Sequence, residues 1–506
     1  MTEFAQLLRA EWTKFRTVRG WVIALLAGAA AIVGLGLLPG LHGSCGVHGP
    51  ASDCTVPTGP DGQEVTDNFY FVHQSLTGDG SLTVRVTSLT SVRPTPEPGH
   101  QAPGTRPALI PWAKAGLIIK AGTDVGSAYA AVMVTPSHGV RMQDNYFHDT
   151  AGPAGSVSTA SPHWLRLTRA QDTITGAAST DGTHWQTIGT ADLTGLPSTV
   201  PVGLFVTSPQ YGRIAHRGFA VGDETSPSLA TAGFDQLTRQ GMWPDNRWTG
   251  QAIGGTAGAG PLESGYHQDG NGFTVSGSGD IAPAVSGEAG LGTTITQTLV
   301  GTFAGLIVMI VLATMFITTE YRRGLIRTTL TASPRRDHVL AAKALVIGAA
   351  TYVAGLAAAA VVVPLGPRIL RGNGVYVHPA TSLTELRLVF GTAALLAGAA
   401  VLALAIGTLV RRSATAVTAV IVVIVLPYLL AISVLPAGAA QWLLRVTPAA
   451  AFAVQQSAVR YPQVDNIYRA ADGFFPLAPW TGLAVLGGWA ALALGVARYA
   501  FRRRDA

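Results

Sequence analysis

Six basic side chains, Arg322, Arg323, Arg327, Arg335, Arg336 and Lys343, crowd residues 320–343, EYRRGLIRTTLTASPRRDHVLAAK. Cations at this density suit carboxylates or phosphates on a partner or a membrane surface. Trp112, Trp164 and Trp185 form a second candidate set. Their flat faces could stack on sugar rings, or simply fill a core. Asp124, Asp144, Asp149 and Asp181 could offer calcium hard oxygen ligands. Asp in such turns also serves turn geometry alone. Cys45 and Cys54 lie close enough in sequence to form a disulfide closing a small loop. No CxxC or His-rich spacing points to zinc, so no metal site is expected. No GxxxxGK[ST] phosphate loop is present, so this chain is not expected to be an enzyme acting on nucleotide.

Apolar runs at 297–319 and 344–363 flank the basic stretch and contain no charged residue. A basic segment between two hydrophobic spans reads as cytoplasmic. Residues 321–330 are expected to form a short helix, which Ser333 and Pro334 then break. Further apolar runs at 21–38, 388–410, 413–435 and 477–497 bring the total to six spans. Ahead of the first, residues 3–19 place Phe4, Leu7, Leu8, Trp12 and Phe15 on one face, as an interfacial helix does. The first span is read as a retained helix rather than a cleaved signal.

Charge divides along the 506-residue chain. Residues 41–296 carry a net −8, while the remainder carries +14. The N-terminal segment, the 320–343 loop, Arg411 with Arg412, and the arginine-rich C-terminus hold 16 of the 34 Lys and Arg. Loops 365–387 and 436–476 hold six. Both termini are therefore expected inside the cell and residues 41–296 outside, in a multi-pass cell-membrane protein. No ionisable residue lies mid-span, which argues against an ion-coupled carrier. Gly391, Gly398, Gly487 and Gly488 would permit close helix packing, and flexible or lipid-facing glycines are the equal alternative. Nothing in the basic pattern suggests nucleic-acid binding.

From about residue 64 to 283 the pattern becomes two-residue alternation with turn punctuation. SLTVRVTSL at 81–89, AGLIIK at 115–120, AYAAVMV at 128–134, WLRLT at 164–168 and VGLFV at 202–206 are strand candidates. GDG at 78–80, SHG at 137–139 and DG at 181–182 lie between them as turns. This is the pattern of an all-β sandwich or jelly roll. The fold class is thus an α-helical polytopic membrane protein whose spans 1 and 2 are separated by a large all-β domain.

Two resemblances follow from particular motifs. DNFYFVH at 67–73, LTGDG at 76–80, WAKAGLII at 112–119, WLRL at 164–167 and STDGTHW at 179–185 together resemble a concanavalin A-like lectin/glucanase sandwich, the superfamily that includes laminin-G-like modules. That resemblance bears on fold rather than activity. The interfacial helix, the six spans, EYRRGLIRTTL with SPRR and AAK, and WLLRVTP at 442–448 resemble a type-2 ABC transporter permease. The resemblance covers 1–40 and 297–506, and departs from the family in the large insertion after the first span.

In that family the loop between spans 2 and 3 couples to a nucleotide-binding subunit. The resemblance therefore implies coupling roles for Glu320, Tyr321, Arg322, Arg323, Gly324, Arg327, Thr328, Pro334, Arg335 and Arg336. It implies a separate ATPase subunit carrying ATP and Mg2+, a second permease copy of the same or a related kind, and export as the direction. The 442–448 segment resembles the family's outer-leaflet hairpin. The alternative is a membrane-anchored extracellular module that binds a glycan or another ligand without transport.

Overall fold

The computed structural model describes residues 3–42, 56–95, 104–217, 220–255, 262–286, 292–332 and 335–503. Cys45, Cys54 and Pro334 lie outside the described residues. The helices are α1 (Glu3–Thr17), α2 (Arg19–His42), α3 (Ile295–Thr298), α4 (Gly301–Arg322), α5 (Leu325–Ala332), α6 (Arg336–Gly372), α7 (Ser382–Val410), α8 (Ser413–Ser433), α9 (Ala437–Val446) and α10 (Pro479–Arg503). Six of them, α2, α4, α6, α7, α8 and α10, are long and apolar enough to cross a bilayer. The 37-residue α6 extends beyond its apolar run at both ends, carrying Asp337 near its start and Arg371 near its finish. Those charged turns hid its true length from hydropathy.

One apolar core joins these helices and includes Phe15, Ile32, Leu306, Val346, Leu396 and Leu486. Helices α2 and α4 cross at small residues. A Cβ on Gly301 would sit 2.3 Å from the Ile32 carbonyl oxygen and 2.8 Å from the Gly36 nitrogen, both on α2. Gly391 and Gly398 do meet neighbours, Val454 and Leu486. Gly487 and Gly488 face open space, in keeping with the flexible or lipid-facing reading of that pair, and the close backbone approach is made by α2 and α4.

The β region is built on one strand, Phe69–Pro94, of 26 residues. GDG at 78–80 is not a turn between two strands, as the alternation suggested, but a bend within this one. Gly78 takes φ +67°, and the register against strand Leu229–Met242 shifts there. Before the bend the strand pairs with Thr199–Thr207 and Thr249–Ile253. After it, the partners are His163–Ala170 and Leu229–Met242. Val72, Leu117, Val132 and Leu204 of the first half share a core with Val84, Leu165, Ile174 and Phe234 of the second. Strand Lys114–Lys120 is buried at every position, on both faces, which is why it does not alternate.

The chain enters and leaves this domain through one strand pair, Val65–Asp67 antiparallel to Ile281–Pro283. Two fully buried lysines staple that doorway. Lys120 Nζ donates to Asp67 Oδ2 at 2.7 Å, and Lys114 Nζ to Asp280 Oδ1 at 2.7 Å and the Ile281 carbonyl at 2.6 Å. Beyond the doorway the domain rests on two loops of the helical bundle. Thr293 exchanges backbone hydrogen bonds with Tyr376 and His378 in the α6–α7 loop. Gln463 donates to the Phe147 carbonyl, Asn466 to that of Ser286, and Val464 packs on Ala282 and Val285.

Asp465 lies in the second of these loops. Burial, together with the charge of Asp280, pushes its pKa up to about 6. Tyr468 lies near both acids, and Lys114 pairs with Asp280 at 2.7 Å. An unfolded Asp titrates near 4, so between about pH 4 and 6 the folded state holds the extra proton. Stability therefore falls as pH rises through that window. The full-length chain should melt higher at pH 5 than at pH 7.5 from this contribution. Asp465→Asn should raise the melting temperature at pH 7.5 and flatten the dependence. An unchanged pH profile in the variant would rule Asp465 out as its source.

Candidate functional site

The basic stretch folds as a compact corner at the end of the bundle opposite the β domain. Helix α4 runs to Arg322, and Gly324, at φ +68°, reverses the chain in a conformation that L side chains resist. Helix α5 then tucks Ile326 inward at 2% exposure while Arg322, Arg323, Leu325, Thr328 and Thr331 stay exposed. The expected short helix at 321–330 is present, shifted to Leu325–Ala332, because α4 continues one turn further than its apolar run. Arg335 pairs with Glu3 of α1 at 3.2 Å, and Arg336 Nη1 donates to the Phe501 carbonyl of α10 at 2.8 Å. Arg498 and Arg502 of α10 hold Asp337 in the first turn of α6.

Beside this corner lies the two-residue α7–α8 turn, where Arg411 adopts φ +61°. The Arg411 guanidinium sits 5.0 Å from the centre of the Tyr321 ring. Tyr321, Arg322, Gly324, Ile326, Arg411 and Arg412 are among the residues lining an open cleft of about 840 Å3 between the two turns. It is basic, shallow and open to solvent. Such a cleft suits an acidic or helical element of another protein.

Behind the corner is a four-membered charge cluster. Lys343 Nζ donates to Glu11 Oε2 and to Glu320 Oε1, both at 2.7 Å. Lys14 Nζ reaches Glu320 Oε1 at 2.8 Å and Glu11 Oε1 at 3.1 Å. Glu11, Glu320 and Lys343 are buried, and Phe316 lies against the Lys343 ammonium at 5.0 Å. Burial of Lys14 opposes its charge, but hydrogen bonding to Glu320 and the charge of Glu11 outweigh it and raise its pKa. Two acids balance two bases, so the cluster is neutral as a unit. It joins α1, α4 and α6, the three helices that frame the basic corner.

Residues 142–506 match the family model described as ABC-2 family transporter protein. The chain belongs to the ABC-2 transporter family. No curated protein matches the sequence. Among solved structures, a functionally unknown protein from Saccharomyces cerevisiae is similar at 12% identity, over 35% of this chain and 76% of that one, with a TM-score of 0.21. Scytalido-glutamic peptidase with a transition state analog inhibitor is similar at 8% identity, over 42% and 98%, with a TM-score of 0.25. The GH43 protein BlXynB of Bacillus licheniformis gives 16% identity, 32% and 28% coverage, and a TM-score of 0.19.

Within this ABC-2 protein the sequence candidates separate. Arg322, Arg323, Gly324 and Thr328 are exposed at the corner. Glu320 is 4% exposed and bound to two lysines, so it is placed to brace the corner from behind. Trp112 is buried and stacked on His138 with ring centroids 3.9 Å apart. Trp164 and Trp185 lie half-buried on an outer face, with Arg85 5.3 Å from the Trp164 ring and Arg166 3.8 Å from the Trp185 ring. Asp149 is taken by Arg141 and Gln143, Asp144 by His148 and Asp181 by His184. Among the described residues, no three His, Cys, Asp or Glu side chains converge as a metal site would require.

Sequence reasoning did not find the Glu11–Lys14–Glu320–Lys343 cluster. Its signal was compositional: the chain has only four lysines, Lys14, Lys114, Lys120 and Lys343, against thirty arginines. Each of the four is ion-paired. An ammonium is a compact point charge with three rotatable donors, and Lys343 divides its donors between Glu11 and Glu320.

Proposed function

We propose that this chain is the membrane-spanning subunit of an ATP-binding-cassette exporter, energised by a separate ATPase subunit that docks on residues 320–343. The open basic cleft beside α5, braced by the neutral cluster behind it, carries this reading. A docking partner pushing on α5 would move α1, α4 and α6 together, because the cluster ties those helices to one another. ATP and Mg2+ would reside on the partner subunit, which would draw two such permeases, identical or related, through a closing motion. Cargo would pass along the interface between permeases. The 320–343 corner and both termini would face the cytoplasm, with the β domain outside as a concanavalin A-like sandwich that captures or releases ligand, or serves as a spacer.

The test is co-purification of the full-length chain with its ATPase. Arg322→Glu, Arg323→Glu and Arg327→Glu combined should weaken association about tenfold or more, since each reversal juxtaposes like charges with an acidic partner. The melting temperature of the chain alone should stay close to wild type, because Arg322 and Arg323 are exposed. Full association and ATPase stimulation in the triple variant would disprove docking at this corner.

A further inference from the structure

At the β-domain end of the bundle, two chambers meet where α8 and α9 face the start of α4 and the 455–476 segment that follows α9. The first, of about 410 Å3, is walled by Phe303, Tyr428, Phe452 and Phe475 together with aliphatic side chains of α4 and α8. The second, of about 170 Å3, is lined by Arg445, Arg460 and Arg469. Ile432, Ala470 and Phe475 belong to both linings, so the chambers adjoin. No Asp or Glu lines either one among the described residues. Asp472 neutralises Arg469 at 3.1 Å, and Arg460 lies 4.8 Å from the Tyr468 ring centre, leaving an excess of positive charge over the small chamber.

The depth of this site in the bilayer follows from its surroundings. Helix α9 exposes Trp442, and the first turn of α10 exposes Trp480. Aromatic side chains with a polar tip favour the headgroup level of a membrane. The arginine chamber therefore lies where lipid phosphates reside, and the aromatic chamber lies where an acyl chain begins.

We propose that the paired chambers bind an anionic phospholipid, with its phosphate against Arg445, Arg460 and Arg469 and the start of its tail between Phe303, Tyr428 and Phe452. Guanidinium forks match phosphate oxygens two at a time. The aromatic walls receive an apolar chain, and with Asp472 held by Arg469 the described lining offers a zwitterionic head no carboxylate for its cation. This occupancy stands independently of the transport reading, because both chambers are walled by one chain.

Thermal unfolding of the delipidated full-length protein in detergent provides the test, with phosphatidylglycerol, phosphatidylcholine or inorganic phosphate added. Phosphatidylglycerol is expected to raise the melting temperature by several degrees and phosphatidylcholine to leave it nearly unchanged. Arg445→Gln with Arg460→Gln should abolish the phosphatidylglycerol-specific rise, whereas Arg368→Gln, exposed elsewhere on α6, should retain it. If the double variant does not fold, the single Arg460→Gln protein and native mass spectrometry of retained lipid give the same readout. A shift with inorganic phosphate equal to that of the lipid, and lost in the double variant, supports an anion site and overturns the lipid as its occupant. Equal protection by both lipids, or a full response in the double variant, overturns the site altogether.

Discussion

Lys343→Met is expected to destabilise the helical bundle by about 3–5 kcal/mol, the usual cost of breaking a buried ion pair from one side. The loss leaves Glu11 and Glu320, both buried, facing Lys14 alone. Thermal unfolding in detergent should show a lower melting temperature and earlier loss of α1, the helix held by its Glu11 and Lys14. Adding Glu320→Gln restores charge balance, with Glu11 against Lys14, and should recover a good part of the loss. A single variant as stable as wild type, or a double variant no better than the single, would contradict the charge-balance account.

Lys120→Met should be comparably costly, about 3–5 kcal/mol for the same reason. Lys120 and Asp67 are both completely buried, and Asp67 Oδ2 also accepts from Tyr146 and the Gly126 backbone. Burial and the Asp67 charge together raise the pKa of Tyr146 well above that of a free phenol. Without the ammonium, Asp67 keeps only neutral donors, and the strand Val65–Asp67 that opens the domain loses its anchor. Circular dichroism of the full chain should show β-sheet signal lost before helical signal on heating. Retention of sheet to the wild-type temperature would mean that Asp67 is satisfied without its lysine.

Hydropathy located all six spans because lipid-facing and core-facing positions are both apolar, so length alone distinguishes them from other elements. It could not find the polar turns at the ends of α6 and α10, where Asp337, Arg498 and Arg502 belong to helices yet read as loop. Alternation found individual strands, but not that 69–77 and 80–94 are one strand, since GDG is equally a turn and a bend until its pairing partners are known. The exposed arginines of the corner were legible as charge between two spans. Glu320 stood in the same stretch and was indistinguishable from them. Its inward role depends on Glu11 and Lys14, some three hundred residues away, and on Lys343, two helices later. Periodicity reports which face of an element is apolar, and an internally paired acid on that face breaks the pattern instead of announcing itself.

The strand pair at Val65–Asp67 and Ile281–Pro283 makes the β domain a graft. Paired antiparallel strands lie about 5 Å apart, so the two cut ends at Asp67 and Ile281 could be rejoined by a turn of two residues. Everything between them could be removed, or another module spliced in, without changing the distance that the flanking chain must span. A transporter lineage with such a port can exchange this domain while the two strand ends keep their spacing.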